Sequence, residues 1–129
     1  IAKKLYEKYC KYLNFYIYFY SPELKYDFYT YKEPLTYQNY LNILNKSKIV
    51  FEMVRHNQSG PTTRFYDALE TNTKVITTNK NIKKYPVYGK NIYVINKRMN
   101  IPQSFIDSPY ENENKHPMHI DNWMEVLEI

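Results

Sequence analysis

Polar residues suited to holding a phosphate group are concentrated in one short stretch, HNQSGPTTRFYDALETNTKVITTN, which covers positions 56–79. It contains Gly60, one of only two glycines in the chain, shortly before Thr62 and Thr63. A glycine lets the backbone approach a ligand closely, and a threonine can cap the start of a helix. The free N–H groups and the positive dipole end of a helix start favour an anion. The stretch therefore predicts a phosphate-binding loop that leads into a helix.

Two charged residues follow in the first turns of that predicted helix. Arg64 falls where the helix dipole disfavours a cation unless an anion is bound nearby. Asp67 lies three residues further on, so its carboxylate shares a face with Arg64 and could accept hydrogen bonds from ribose hydroxyls. A purely structural interpretation is also open. In it Thr62 is only a cap, Gly60 is only a turn, and the two charges form a weak surface pair.

Hydrophobic periodicity predicts the elements that must position these residues. Helical patterns cover residues 1–13, 36–45, 62–69 and 121–129, and strand patterns cover 15–20, 49–54, 74–77 and 91–95. A short extended piece is expected at 28–31, and turns at 96–102 and 108–117. This alternation favours crossover connections and an α/β, Rossmann-like three-layer α/β/α fold with a mostly parallel sheet. The polar clusters at 55–63 and 77–80 both follow predicted strands, and open α/β sheets bind ligands outside the carboxyl ends of their strands.

Length and composition limit the classes of protein. A chain of 129 residues predicts a single domain over residues 1–129. The single Cys10 makes no internal disulfide, which suits a reducing compartment. The longest apolar run, at 15–20, is far too short for a membrane span, so we expect a cytoplasmic protein. The chain begins at Ile1 with a helical pattern, from which we expect a fragment of a longer chain.

The net charge of +5 favours anionic partners, among them nucleotide phosphates, nucleic acid and an anionic membrane face. Lys80, Lys83 and Lys84 form a local cluster that is typical of a solvated surface and could also make a ligand cleft more positive. His116 and His119 have an H-x-x-H spacing, but a proline lies between them and no cysteine is near. We therefore expect no metal site.

The segment from about Tyr40 to Ile95 resembles a known family. Its YLNILNKSKIVFEM, QSGPTTRFYDALETNTKVITTN and NIYVI segments are similar in order and spacing to the C-terminal half of GT-B glycosyltransferases of bacterial lipopolysaccharide and capsule assembly. The family's usual pattern there is close to QSGLTMRTFEALGAGKKLITTN. Two Rossmann-like domains face each other in that family. The C-terminal one holds the nucleotide of the sugar donor, and the N-terminal one binds the acceptor.

The resemblance implies specific roles for matching residues. The phosphate-side loop and helix start would be formed by Ser59, Gly60, Thr62, Thr63 and Arg64. Asp67 stands where the family has a glutamate that is expected to contact the donor ribose. Thr78 and Asn79, with Thr77, would line the neighbouring strand end. Apart from the resemblance, His56 lies at the end of the preceding predicted strand, where it could contact the donor, act near the sugar, or be only a polar loop histidine.

The chain also departs from the family pattern. Asp67 is one methylene shorter than the family's glutamate, and Glu70–Thr73 replaces a small turn that contains glycine. Pro61 replaces leucine, which is a mild change because proline is tolerated at a helix start.

From the resemblance we expect the nucleotide-sugar-binding domain of a hexosyltransferase in bacterial surface polysaccharide synthesis. The donor would be a nucleoside-diphosphate sugar, with no cofactor and no metal. The partner would be an absent N-terminal acceptor-binding domain, so this chain alone would be inactive. The expected location is the cytoplasm, with a peripheral contact to the anionic inner face of the plasma membrane. One alternative is a basic, tyrosine-rich nucleic-acid-binding module, although the sequence has no RNP-like, KH or zinc signature. The other is a degenerate, non-catalytic interaction domain of the same fold.

Overall fold

The computed structural model describes residues 2–20, 30–31, 33–54, 60, 62–85 and 88–111. The chain divides into two compact units, Ile1–Asn42 and Ile43–Ile129. The single Rossmann-like domain over residues 1–129 stays a prediction. Among the helices of the described ranges, none combines the length and apolar character that crossing a bilayer needs.

The first unit contains α1 (Ala2–Tyr9), two short strands, β1 (Phe19–Tyr20) and β2 (Thr30–Tyr31), and the start of α2 (Tyr37–Asn45). The two strands pair in parallel, with Phe19 opposite Thr30. The strand predicted at 15–20 is therefore limited to its last two residues. The Phe15 ring lies edge-on to the ring of Tyr6 at 5.4 Å, so the start of this aromatic run packs against α1 instead of pairing.

The second unit has a small parallel sheet as its centre. Its strands are β3 (Ile49–Glu52), β4 (Lys74–Thr77) and β5 (Ile92–Val94), in the order β3-β4-β5. Glu52 lies opposite Thr77 in the register, and Thr77 lies opposite Val94. The predicted parallel strands are confirmed, and this part of the chain is α/β. All four residues of β4 are buried, as expected for the central strand.

Helix α3 (Thr63–Glu70) connects β3 to β4 and packs against both. Phe65, Ala68 and Leu69 are buried at the i, i+3 and i+4 positions, which places one apolar face on the sheet. The helix ends where Asn72 adopts a left-handed conformation with φ of 56°. The Thr73 amide then donates to the Ala68 carbonyl at 2.8 Å. Asparagine is among the few residues that tolerate this conformation, so it can close a helix as glycine does.

The amino end of β4 is anchored by a buried lysine. Lys74 is only 2% exposed, and its Nζ donates to the carbonyl of Ser108 at 2.7 Å and to that of Phe105. The same ammonium lies 4.3 Å from the centre of the Phe105 ring. Burial lowers the pKa of Lys74, an effect that Asp107 opposes and Lys48 reinforces. The lysine thereby fastens α4 (Gln103–Asp107) to the sheet.

Two elements of the second unit have no counterpart in the sequence prediction. One is a 3₁₀ helix, Lys80–Lys84, between β4 and β5, and the other is α4. The helix predicted at 121–129, with Trp123, lies outside the described residues.

Candidate functional site

The carboxyl ends of β3 and β4 lie side by side because the strands are parallel and Glu52 is paired with Thr77. Helix α3 begins at Thr63, and the 3₁₀ helix begins at Lys80, just after β4. The structure thus brings Gly60, Thr62 and Thr63 of the first polar cluster to the same edge of the sheet as the second cluster, residues 77–80. This is the edge at which open parallel sheets bind their ligands.

A buried carboxylate organises this edge. Glu52 is 1% exposed, and its Oε1 accepts a hydrogen bond from the Thr62 amide at 3.2 Å and another from the Thr62 hydroxyl. Its Oε2 accepts from the Thr77 hydroxyl at 3.0 Å. A buried carboxylate needs such donors, because an unsatisfied one is expensive to remove from water. Glu52 therefore connects the ends of two strands to the start of α3.

Thr62 occupies the N-cap position of α3, as predicted, with an extended backbone at φ −85° and ψ 167°. Its side chain makes no capping hydrogen bond to its own helix, because the hydroxyl is directed to Glu52. The resemblance places Thr62 at the phosphate-side helix start, but its amide and its hydroxyl are both directed to the protein's own carboxylate. The helical geometry leaves the amides of Thr63 and Arg64 without an intrahelical acceptor, and both residues are exposed.

Asn79 connects the second strand end to the glycine loop. It is 2% exposed, and its Nδ2 donates to the Gly60 carbonyl at 3.4 Å. Its Oδ1 accepts from the Asn81 amide at 3.0 Å and so caps the 3₁₀ helix. Thr78 is half-buried, and its Oγ1 accepts from the Val54 amide at 3.1 Å. The structure therefore gives Thr78 and Asn79 bonds that hold the edge together.

Two tyrosines that the sequence analysis did not select lie at the same edge. The ideal Cβ position on Gly60 is 3.5 Å from the Tyr85 hydroxyl oxygen. Burial raises the pKa of Tyr66, and the neighbouring Tyr85 raises it further. Because tyrosines are frequent throughout this chain, neither of them stood out in the sequence.

The remaining candidates are placed as follows. Asp67 is half-buried on α3, about one turn after the first residue of the helix. Lys80, Lys83 and Lys84 are exposed on the 3₁₀ helix, which begins just after β4. His56, Ser59 and Pro61 lie outside the described residues, as do His116 and His119. In the part of the chain that the structure describes, no three His, Cys, Asp or Glu side chains form a group that could hold a metal ion.

A substitution at Gly60 can separate an effect on the stability of the fold from an effect on ligand binding. Its φ is not in the left-handed region, and an added Cβ would make an ordinary contact with Tyr85. We expect Gly60→Ala to change the free energy of unfolding by less than about 0.5 kcal/mol, measured by urea denaturation. If the backbone approaches a phosphate here, the same methyl group should weaken nucleotide binding. A large loss of stability would instead show that the loop itself needs the glycine.

The chain was compared with models of protein families, with curated proteins and with solved structures, and none of these comparisons gave a match.

Proposed function

We propose that this chain is the nucleotide-sugar-binding part of a glycosyltransferase that acts in bacterial surface polysaccharide synthesis. One observation carries the location of the site: Gly60, the start of α3 and the ends of β3 and β4 meet at one edge of a parallel sheet. The class of ligand follows from the resemblance of this segment to the donor-binding half of GT-B enzymes. The complete three-layer Rossmann-like domain belongs to the same proposal.

In the proposed mechanism the leaving diphosphate is stabilised by fixed dipoles and cations rather than by a metal. Because Glu52 takes the donors of Thr62, the phosphate would contact the amides of Thr63 and Arg64 and the Arg64 guanidinium. Asp67 would orient the ribose. The general base for the acceptor would belong to the acceptor-binding domain. This chain would therefore bind nucleotide without transferring sugar.

The turn after α3 supports the proposal at a place where the chain departs from the family. The family pattern has a glycine between the helix and the next strand, whereas this chain has Glu70–Thr73. Asn72 supplies the left-handed residue there, so the helix still ends and β4 still begins on the sheet. Glu70 is exposed. Asn72 can therefore close the helix here, a role that glycine often has.

The proposal is tested by saturation-transfer NMR of the chain with UDP, GDP, ADP and CMP in separate samples. We expect transfer to one nucleotide, and we expect Arg64→Ala to weaken its binding at least about tenfold because a charged phosphate partner is removed. Lys48→Ala is the matched control, since Lys48 is an exposed cation next to the amino end of β3. It removes one positive charge and should leave the affinity unchanged. If the folded protein transfers saturation to none of the four nucleotides, a working donor site is refuted.

One observation favours a second candidate, a non-catalytic domain of the same fold. Glu52 already accepts hydrogen bonds from both donors of Thr62, and its negative charge lies at the end of α3 where a phosphate would bind. This candidate predicts that any nucleotide binding survives Arg64→Ala unchanged. A comparison of nucleotide binding by the wild type and by Arg64→Ala therefore separates the two functions.

A further inference from the structure

We propose that Glu52 is a positioning residue whose buried carboxylate holds the start of α3 against the end of β4. In this role it sets where the first-turn amides of Thr63 and Arg64 meet a ligand. The statement about the ligand rests on the function proposed above, whereas the statement about the helix start does not.

A buried carboxylate with a structural role is unexpected at the position of Glu52. It ends a strand whose other residues, Ile49–Phe51, are all apolar, and it is nearly completely buried. An apolar residue would avoid the cost of burying a charge. The carboxylate is instead met by three donors that come from two different elements, the start of α3 and the end of β4.

A carboxylate is the side chain that suits this arrangement. An ionised carboxylate only accepts hydrogen bonds, so all three donors can point at it without competition. A glutamine at position 52 would bring its own N–H group toward at least one of these donors, or that donor would have to turn away. Hydrogen bonds to a charged acceptor are also stronger than neutral ones. Glu52 thus holds Thr62 extended just before the helix begins.

Thr77 offers a test that leaves the charge of Glu52 in place. Thr77 is fully buried, so it does not contact a ligand, and its hydroxyl donates to Glu52 Oε2 at 3.0 Å. It also accepts from the Asn79 amide at 3.0 Å. Thr77→Val keeps the shape and removes both bonds, whereas Thr77→Ser keeps the hydroxyl. Lys74→Met is the matched control, because it removes a buried polar anchor at the other end of the same strand.

Hydrogen exchange of backbone amides tests the positioning itself. We expect the Thr62 amide to exchange at least about tenfold faster in Thr77→Val than in the wild type at a temperature where both are folded. Thr77→Ser should leave its exchange close to the wild-type rate. Lys74→Met lowers the overall stability, but it should speed the exchange of the Thr62 amide less than Thr77→Val does, because the bonds that it removes lie at the other end of β4. Unchanged exchange in Thr77→Val would overturn the inference, whether or not the protein binds a nucleotide.

Nucleotide titration tests the consequence for the ligand. Using the nucleotide that the wild type binds, we expect Thr77→Val to weaken the affinity about tenfold and Thr77→Ser to keep it within about twofold. Lys74→Met should bind like the wild type while it remains folded. Equal losses in Thr77→Val and Lys74→Met would mean a general effect of stability and would overturn the positioning role. The wild type could bind no nucleotide while Thr77→Val still shows faster exchange. That result would support the positioning of the helix by Glu52 and would refute only the proposed function.

Discussion

Phe65→Ala is expected to lower the free energy of unfolding by about 3–5 kcal/mol, the range typical of a large aromatic side chain removed from a core. Phe65 is completely buried on the face of α3 that packs on the sheet. Its ring also lies edge-on to that of Tyr66, with centroids 5.9 Å apart. Because the ring is buried between α3 and the sheet, we expect its removal to leave a cavity that the surrounding structure fills only in part. Urea denaturation followed by circular dichroism measures the change.

Tyr88→Ala is a suitable comparison, because Tyr88 is also an aromatic residue of the second unit and is 40% exposed. It should cost much less than Phe65→Ala. A domain of this size has only about 5–15 kcal/mol of stability, so Phe65→Leu provides a milder variant if the alanine variant does not fold. Losses of similar size at Phe65 and Tyr88 would show that α3 does not pack on the sheet as described.

Lys74→Met is expected to lower the free energy of unfolding by about 1–3 kcal/mol, because the carbonyls of Phe105 and Ser108 lose their buried donor. The methionine fills a similar space, so the main change is the loss of the ammonium. Lys48→Met is the control, since Lys48 is exposed and its charge only disfavours the charge of Lys74. It should be neutral or slightly stabilising. A larger loss in Lys48→Met than in Lys74→Met would contradict the anchor.

The same lysine predicts a dependence of stability on pH. Burial lowers the pKa of Lys74 below its ordinary value of 10.5 in the folded state. Between the lowered pKa and 10.5 the unfolded chain binds more protons, so the contribution of this group to stability rises with pH. The stability of the wild type should therefore rise relative to Lys74→Met as the pH approaches 10.5. Both proteins retain Tyr66, whose raised pKa acts in the opposite direction above 10.0, so the difference between them isolates Lys74.

Much of the second unit could be predicted from periodicity. The strand at Lys74–Thr77 has the predicted limits. Strand β3 ends two residues earlier than predicted, and α3 is shifted by one residue at each end. These elements have strong patterns because each buries a defined face. Helix α4 was missed because five residues are too few to show a period, and it is held by Lys74 from a distant part of the chain. The aromatic run at 15–20 suggested a longer strand because aromatic residues favour strands and close packing on a helix alike.

The location of the candidate site could also be predicted, but its internal bonding could not. Polar clusters after two buried strands indicated a shared edge, and the structure joins Gly60 to Asn79 there. The sequence did not indicate a role for Glu52, although this carboxylate ends a strand whose other residues are apolar. Its role depends on donors 10 and 25 residues away in sequence, and no local pattern reveals that distance.

The acceptors of Lys74 also bear on the order in which the chain becomes structured during synthesis. The lysine lies 31 and 34 residues before the two carbonyls that accept its hydrogen bonds. A ribosome that has released β3, α3 and β4 has not yet released these carbonyls. Burying an ammonium group without hydrogen-bond partners is unfavourable. We therefore expect the amino end of β4 to pack only after Ser108 has emerged from the ribosome. Nascent chains in which Ser108 is still inside the ribosome should therefore be much less resistant to protease than chains in which Ser108 has emerged.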